Sequence, residues 1–345
     1  MLYTGIDLHK RFSHLTTVDE KGMIIKQEQI NNEPMNILNY FWSMNDDHKA
    51  VVESTIGWYW IADLLNANNI SVVLANPRSV KAISTAKVKT DKCDSTTLAH
   101  LLRTDYIPEA HQINPELRDK RDLLRSRLNL IQRKIRAVNN VHCLLQKFNL
   151  TDPNDLPGLY QYQYQMYDQQ VDFLHKQIKE LEKTIYPLII DNDDVQRLLA
   201  VPGIGILSAC TLHLEVGDFT RFPTEKHFFS YCRVVPGASN SGGKTSHNSK
   251  QSKAGNKYLK IVFNDAAVSA YKHYPVVRDF YNKKCRKKNK HLARNLVAKE
   301  LARIAYHITI KKCDYDNTFK GKELTHIKKW RWARSTSPGM RLVAV

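Results

Sequence analysis

Four acidic residues stand where an acid is hard to explain as ordinary surface. Asp7 lies near the end of the apolar run Leu2 to Leu8, and Glu53 directly follows the apolar stretch Ala50–Val52. Asp91 and Asp94 open a helical stretch three residues apart, so both project from one face. Carboxylates that converge repel one another and persist mainly where divalent cations compensate them; Mg2+ prefers such oxygen ligands and keeps places for water and phosphate oxygens. Two such ions about 4 Å apart would stabilise both the attacking and the leaving oxygen of a phosphodiester. A lone aspartate is usually a cap or a surface residue, and Asp91 could be an N-cap. Asp7, inside an apolar strand, resists that explanation.

A second constellation lies far down the chain. Ser239-Asn240-Ser241-Gly242-Gly243-Lys244 sits in a long loop of small and polar residues, Pro236–Lys253, and loops of that length in compact domains tend to be functional or disordered. The glycines remove side-chain obstruction and permit special backbone angles, so the Ser241 hydroxyl can meet a phosphate that Lys244 would neutralise. A serine hydroxyl is a weak nucleophile until a base or metal activates it. No local base is present, so activation would come from the carboxylate site. Taken alone, Ser-Gly-Gly-Lys also describes an ordinary flexible loop.

The elements that must position these residues fall into an order. Residues 2–8, 12–18 and 22–30 form a predicted three-strand meander, followed by a helix near 34–44, the strand Ala50–Val52, a helix near 57–68 and the strand Ile70–Leu74, closed by Asn76–Pro77. Ser95–Arg103, with Leu98, Leu101 and Leu102, is the next helix. Strands first, then alternating helices and strands, is the order of an α/β RNase H-like domain. In the middle of the chain Leu124, Leu128, Ile131, Ile135, Val138, His142 and Leu145 recur at alternating spacings of four and three. After a loop with Pro153, Pro157 and Gly158, Tyr167, Val171, Leu174, Ile178, Leu181, Ile185 and Leu188 repeat the pattern. These are coiled-coil seams, and the two helices can pair as a hairpin, either as an intramolecular spacer or as an oligomerisation arm.

Residues 198–214 pair two apolar helices around Pro202-Gly203-Ile204-Gly205, a helix-hairpin-helix signal whose glycines, Gly203 and Gly205, let backbone N–H groups approach a DNA phosphate. A tight structural turn has the same composition. Asn256–Tyr271 returns to a helical pattern. Beyond it, seven of the twelve residues 283–294 are basic, among them Lys283, Lys284, Arg286, Lys287 and Lys288, and Trp330 and Trp332 stand among Lys and Arg in the tail. Basic residues interleaved with aromatics suit a nucleic-acid backbone and its unpaired bases, although any single charge run is more often a solvated face.

The whole chain carries a formal charge of +18 over 345 residues, which points to a polyanionic partner, nucleic acid first. No long apolar run and no leader pattern occur, so a cytoplasmic protein with no membrane partner is expected. Six cysteines lie far apart without a paired motif, which argues against a disulfide framework or a zinc site and for reduced thiols, mostly in packed positions.

Gly5-Ile6-Asp7-Leu8-His9-Lys10, Glu53-Ser54-Thr55, Lys89-Thr90-Asp91-Lys92-Cys93-Asp94, Val201-Pro202-Gly203-Ile204-Gly205 and Ser241-Gly242-Gly243-Lys244 together resemble one family. It is the DEDD-type insertion-sequence transposases related to Piv DNA invertases, also called bridge recombinases. The resemblance implies a RuvC-like domain in which Asp7, Glu53, Asp91 and Asp94 bind Mg2+, with Mn2+ as the other candidate, and it implies Ser241 as the residue joined covalently to DNA. It also implies a structured noncoding guide RNA encoded by the element, pairing with donor and target DNA. The family commonly shows adjacent serines before the glycines, whereas here Asn240 separates Ser239 from Ser241; position relative to Gly242 favours Ser241. The expected organisation is a RuvC-like domain over 1–110, a coiled-coil arm over 115–190, a mainly α, serine-bearing transposase domain over 191–312 and a basic aromatic tail over 313–345. The expected assembly is a homo-oligomer, dimer or tetramer. Two rivals remain: a Holliday-junction resolvase-like nuclease using metal-activated water, and a non-catalytic nucleic-acid-binding protein, which leaves the four acids unexplained.

Overall fold

Short turns, closed by His9 N donating to Phe12 O and Gly22 N donating to Asp19 O, fold the first three strands, β1 (Leu2–Leu8), β2 (Phe12–Val18) and β3 (Ile24–Asn31), into an antiparallel meander. The computed structural model describes residues 1–83, 90–235 and 254–313, with the backbone alone at 240–241 and 244–245. Strands β4 (His48–Glu53) and β5 (Ser71–Ala75) add in parallel beyond β1, so the sheet runs β3-β2-β1-β4-β5. This mixed five-stranded order is compatible with the RNase H-like fold expected from the sequence. Helices α1 (Pro34–Trp42) and α2 (Trp58–Ala67) cover one face, where Ile6, Leu15, Ala50 and Val52 join Ile37, Phe41, Ile61 and Leu65 in a core. Two further helices, α3 (Pro77–Ile83) and α4 (Asp91–Arg103), belong to the other face, where Val51, Val80, Leu98 and Leu102 pack.

Helix α3 was not among the predicted elements. Asn76-Pro77 looked like the end of a strand, yet proline is pre-organised for the first turn of a helix, and the Asn76 side chain accepts from Arg78 N at 3.1 Å. Helix α4 begins at Asp91, so Asp91 and Asp94 open it as expected, and Thr90 caps it, its hydroxyl accepting from Cys93 N at 3.3 Å. Between α4 and the sheet runs a hydrogen-bonded seam of small residues. Thr16 and Ser95 share a hydrogen bond of 2.8 Å with both residues fully buried, and Gln27 Nε2 donates to Thr16 at 2.8 Å and to Thr96 at 3.0 Å.

Residues 1–112 form one compact unit and residues from 113 onward a second. The second opens with two long helices, α5 (Pro115–Lys147) and α6 (Leu159–Ile189), packed as an antiparallel hairpin. Arg127 meets Glu182 at 2.5 Å, and Lys134 Nζ lies 3.2 Å from His175 Nδ1. The seam departs from the predicted one. Ile135, His142 and Leu188 face outward, while Ala137, Leu144 and Ile189 are buried in their stead. A straight helix turns every 3.6 residues, so a stripe written at 3.5 drifts off the contact line unless the helices supercoil.

Among the described residues six shorter helices follow: α7 (Asp193–Leu199), α8 (Ile206–Val216), α9 (Glu225–Tyr231), α10 (Lys257–His273), α11 (Pro275–Cys285) and α12 (Lys290–Ile310). The strand pair β6 (Asn240–Ser241) and β7 (Lys244–Thr245) lies between α9 and α10. Their core joins Leu198, Leu212, Phe228, Phe263 and Leu301 to Leu124, Ile185 and Ile189 at the base of the hairpin, so the arm helices and the helices after them share one core. Among the described residues Cys210 and Cys232 are buried, but Cys93 and Cys143 are exposed rather than packed. No helix among the described residues is long and apolar enough to cross a membrane.

Helix α4 approaches β1 closely at Gly5, where an added Cβ would fall 2.0 Å from Ser95 O and 2.5 Å from Ala99 N. Backbone atoms cannot swing aside as a flexible side chain can, so Gly5→Ala must push α4 off the sheet. We expect a loss of about 3 kcal/mol, measured by urea unfolding of the isolated change against wild type.

Candidate metal centre and nucleic-acid interface

Period-two alternation sorts the acids. Ile6 is registered against Val52 and both enter the core beneath α1 and α2, so Asp7 and Glu53, one residue further along adjacent parallel strands, share the opposite face with Gly5 and with α4. The first turn of α4 brings Asp91 and Asp94 to that face. Its N-terminal end, positive by alignment of its peptide dipoles, favours both carboxylates. Asp7 and Asp91 come together around His9, to which residue type alone assigns no role. His9 Nε2 lies 3.2 Å from Asp7 Oδ2 and 3.2 Å from Asp91 Oδ2, and one ligand atom from each of the three residues lies within 4.8 Å of the other two. The signal was present in the sequence, since His9 follows Asp7 by two residues. Asp94 is near enough for its charge to act on Asp7. Glu53, half-buried on the neighbouring strand, stands outside the close group of three.

Burial pushes the Asp7 carboxyl above the usual carboxylate range; His9 opposes this, and the charges of Asp91 and Asp94 add to it. His14, opposite Asp7 in the β1–β2 register and 9% exposed, has an Nδ1 that makes no hydrogen bond. A partly buried carboxylate with two further acids acting on it and one imidazole nitrogen beside it is a donor set that suits a divalent cation.

Ser241 belongs to the second unit. Its backbone is registered against Lys244 across β6 and β7, while Ser239, Gly242 and Gly243 lie outside the described residues, as do Trp330 and Trp332. The two roots of the serine loop are held together. Asn256 N donates to Tyr231 O at 2.6 Å, Arg233 Nε donates to Gly255 O at 2.8 Å, and Gly255 has φ +93°, with an added Cβ 2.5 Å from Tyr231 O. Asn256 caps α10 through Tyr258 N at 2.8 Å and Leu259 N at 3.1 Å, and its Nδ2 donates to Glu215 at 2.7 Å. Glu215, 3% exposed on α8, also accepts two bonds from Arg125 of α5, at 2.5 and 2.7 Å. A fork-to-fork pair of this kind is among the strongest charge-assisted hydrogen bonds.

The two glycines of the Pro-Gly-Ile-Gly turn divide. Gly203, at φ +79°, packs on α10, where a Cβ would lie 2.2 Å from Ala266 O. Gly205 is exposed at the start of α8, and an added Cβ there would meet nothing within 4 Å. Lys283, Arg286, Lys287 and Lys288 are exposed at the end of α11 and in the turn after it, and Lys284 lies over the Phe280 ring at 5.0 Å.

Two outcomes follow from these arrangements. Because folding raises the Asp7 pKa, keeping the group ionised costs stability, fully above its folded pKa and less as pH falls through it. Asp7→Asn should therefore melt higher than wild type at pH 7 without metal. A divalent ion at a hundredfold excess over Kd should stabilise wild type by about 2.7 kcal/mol and the variant not at all, as differential scanning calorimetry would show. Replacing Lys283, Arg286, Lys287 and Lys288 by Gln should flatten the log K against log salt slope for duplex DNA by up to about 3.6, roughly 0.9 per lost phosphate contact. An unchanged slope in filter binding would exclude this turn from the interface.

Comparison with known proteins bears on both units. A DEDD-type IS110 transposase model matches residues 4–150, and a model described as Transposase IS116/IS110/IS902 family matches residues 195–282. The transposase for insertion sequence element IS1328 of Yersinia enterocolitica is 23% identical over 327 residues, covering 88% of this chain and 96% of that protein. The transposase for insertion sequence element IS1111A of Coxiella burnetii is 22% identical over 260 residues, covering 70% of each. A DEDD domain implies dependence on a divalent metal, and the donors around Asp7 fit one. The two models match in order along the chain, and the relatives align over most of their own length: the protein is a DNA transposase, similar in both units to the DEDD-type IS110/IS116 transposases.

Proposed function

We propose that this transposase cleaves and rejoins DNA through a covalent phosphoserine, with Ser241 as the nucleophile. The observation that carries the reading is the pairing of Ser241 with Lys244 on a loop whose two roots are pinned by Arg233, Gly255 and Asn256. A nucleophile on a loop needs such an anchor, because misplacement by about 1 Å can cost a hundredfold in rate. In the proposed step the Ser241 oxygen forms a bond to phosphorus, the bond from phosphorus to a deoxyribose oxygen breaks, and the serine proton ends on that departing oxygen as a free hydroxyl. Attack by a hydroxyl of a second strand reverses these changes on new DNA. The phosphodiester's energy is kept in the serine ester, so rejoining needs no outside energy source.

On this reading residues 1–110 form a RuvC-like domain in which Asp7, Glu53, Asp91 and Asp94 hold Mg2+ or Mn2+. A bound divalent ion would supply Lewis-acid stabilisation of charge on the phosphate oxygens. Residues 115–190 act as the arm, and 191–312 carry the serine, the exposed Gly205 and the basic turn that track phosphates. Leu159, Tyr162, Met166 and Phe173, exposed at 85, 64, 55 and 60%, support association of copies along α6 into a dimer or tetramer, in which the serine of one copy works with the acids of another. Donor and target DNA are the partners, with a structured noncoding guide RNA supported by the family resemblance and the +18 charge.

Labelled DNA incubated with the protein and resolved on a denaturing gel tests the central claim. Ser241→Ala should bind DNA as wild type does yet give no protease-sensitive adduct, and Ser239→Ala should retain most of it. Asp94→Asn should abolish cleavage with binding intact, and mixing it with Ser241→Ala should restore some adduct. Normal cleavage with free ends by Ser241→Ala would assign the chemistry to water, as in a resolvase-like nuclease.

A further inference from the structure

His9 hydrogen-bonds Asp7 and pairs with Asp91 through one nitrogen, and the same geometry suits a shared ion. Its backbone is fixed on both sides: His9 N donates to Phe12 O at 3.1 Å, and Asn32 Nδ2 donates to His9 O at 2.7 Å. Its ring lies against Phe12, centroids 4.9 Å apart, and Nε2 is equidistant from the two carboxylate oxygens at 3.2 Å. Adjacent ligand atoms in an octahedral shell are separated by the bond length times the square root of two, about 3.0 Å for bonds of about 2.1 Å. The His9 nitrogen and each carboxylate oxygen therefore already stand at close to the spacing that one shared ion would impose.

We infer that His9 is a direct nitrogen ligand of the ion held by Asp7 and Asp91, and that it biases this site toward a first-row transition-metal ion over Mg2+. The inference rests on the metal centre proposed above and adds a donor that the four acids do not supply. Mg2+ takes oxygen ligands and keeps its waters, whereas imidazole nitrogen binds transition-metal ions well. An imidazole in the shell thus adds affinity for the second class and little for the first. Donor type, rather than cavity size, sets the choice, because Asp7 and Asp91 offer the same oxygens to either ion.

Pulsed electron paramagnetic resonance of the full chain with Mn2+ reads the ligand directly, without turnover. Wild type should show a nitrogen coupling to Mn2+ that changes in the expected isotopic ratio when the protein carries 15N-histidine. His9→Gln should lose that coupling and bind Mn2+ about tenfold more weakly, with a much smaller change in Mg2+ affinity by competition, while His14→Gln keeps it. Where His9→Gln fails to melt cooperatively, the labelled wild type and His14→Gln decide between the two histidines. Mn2+ bound without nitrogen coupling, or a coupling carried by His14, would overturn the assignment of His9 and leave the carboxylate centre standing. No Mn2+ binding, or binding that survives Asp7→Asn unchanged, would remove the centre itself and His9 with it.

Discussion

The approach of α4 to β1 at Gly5 governs the first unit. Only a residue without a side chain lets the helix backbone come within reach of the strand, and that closeness puts the first turn of α4 over the strand end that carries Asp7. Everything chemical about the site depends on this. The Thr90 cap sets where the helix begins, and the buried bond between Thr16 and Ser95 fixes its height along the sheet. The carboxylates then meet because backbone packing leaves them no other position. Burial pushes the Asp7 carboxyl up, the charges of Asp91 and Asp94 add to that push, and a cation offsets both.

A similar device recurs in the second unit. Gly203 lets the turn before α8 settle on the backbone of α10, and Gly255 lets the start of α10 settle on Tyr231. Both need a positive φ, and both sit beside segments with candidate roles in binding. Glu215 then ties three helices, accepting from Arg125 on the arm and from the cap of α10. A buried charge left alone is costly, so removing any partner of Glu215 would disturb the serine loop's root and the arm's base together. The link is physical and contiguous, from a helix of the arm to the residue that ends the loop.

Charge is divided with similar economy. The chain is strongly basic, yet its first unit gathers acids at one strand end, while the exposed turn after α11 concentrates lysine and arginine. A basic surface attracts DNA through its phosphates without regard to sequence. An acidic cluster can sit near DNA only with cations to screen it. The two features are therefore compatible in one enzyme that acts on DNA.

Much of this was legible in the residues. The strand order, the two long helices and the second short apolar hairpin follow from periodicity, because burial on one face forces a period of two or 3.6. Asp7, Glu53, Asp91 and Asp94 stood out as acids in apolar or helix-opening positions, and the basic turn is visible as a run. Local signals misled where two structures share a signature: Asn76-Pro77 ends a strand and also starts a helix, and the drift that exchanged Ile135 for Ala137 comes from the mismatch between 3.5 and 3.6 residues per turn. Gly5 and Gly203 are indistinguishable in sequence from glycines that merely turn the chain, since what makes them necessary is a helix 90 or 63 residues away. His9 follows Asp7 by two residues, yet that spacing alone assigns it no role, because an imidazole becomes a candidate ligand only when folding sets a second carboxylate, from a distant helix, beside the first. Residue type and spacing determine which chemistry is available; which of those groups meet is decided by the close packing of backbone on backbone, and no local pattern records it.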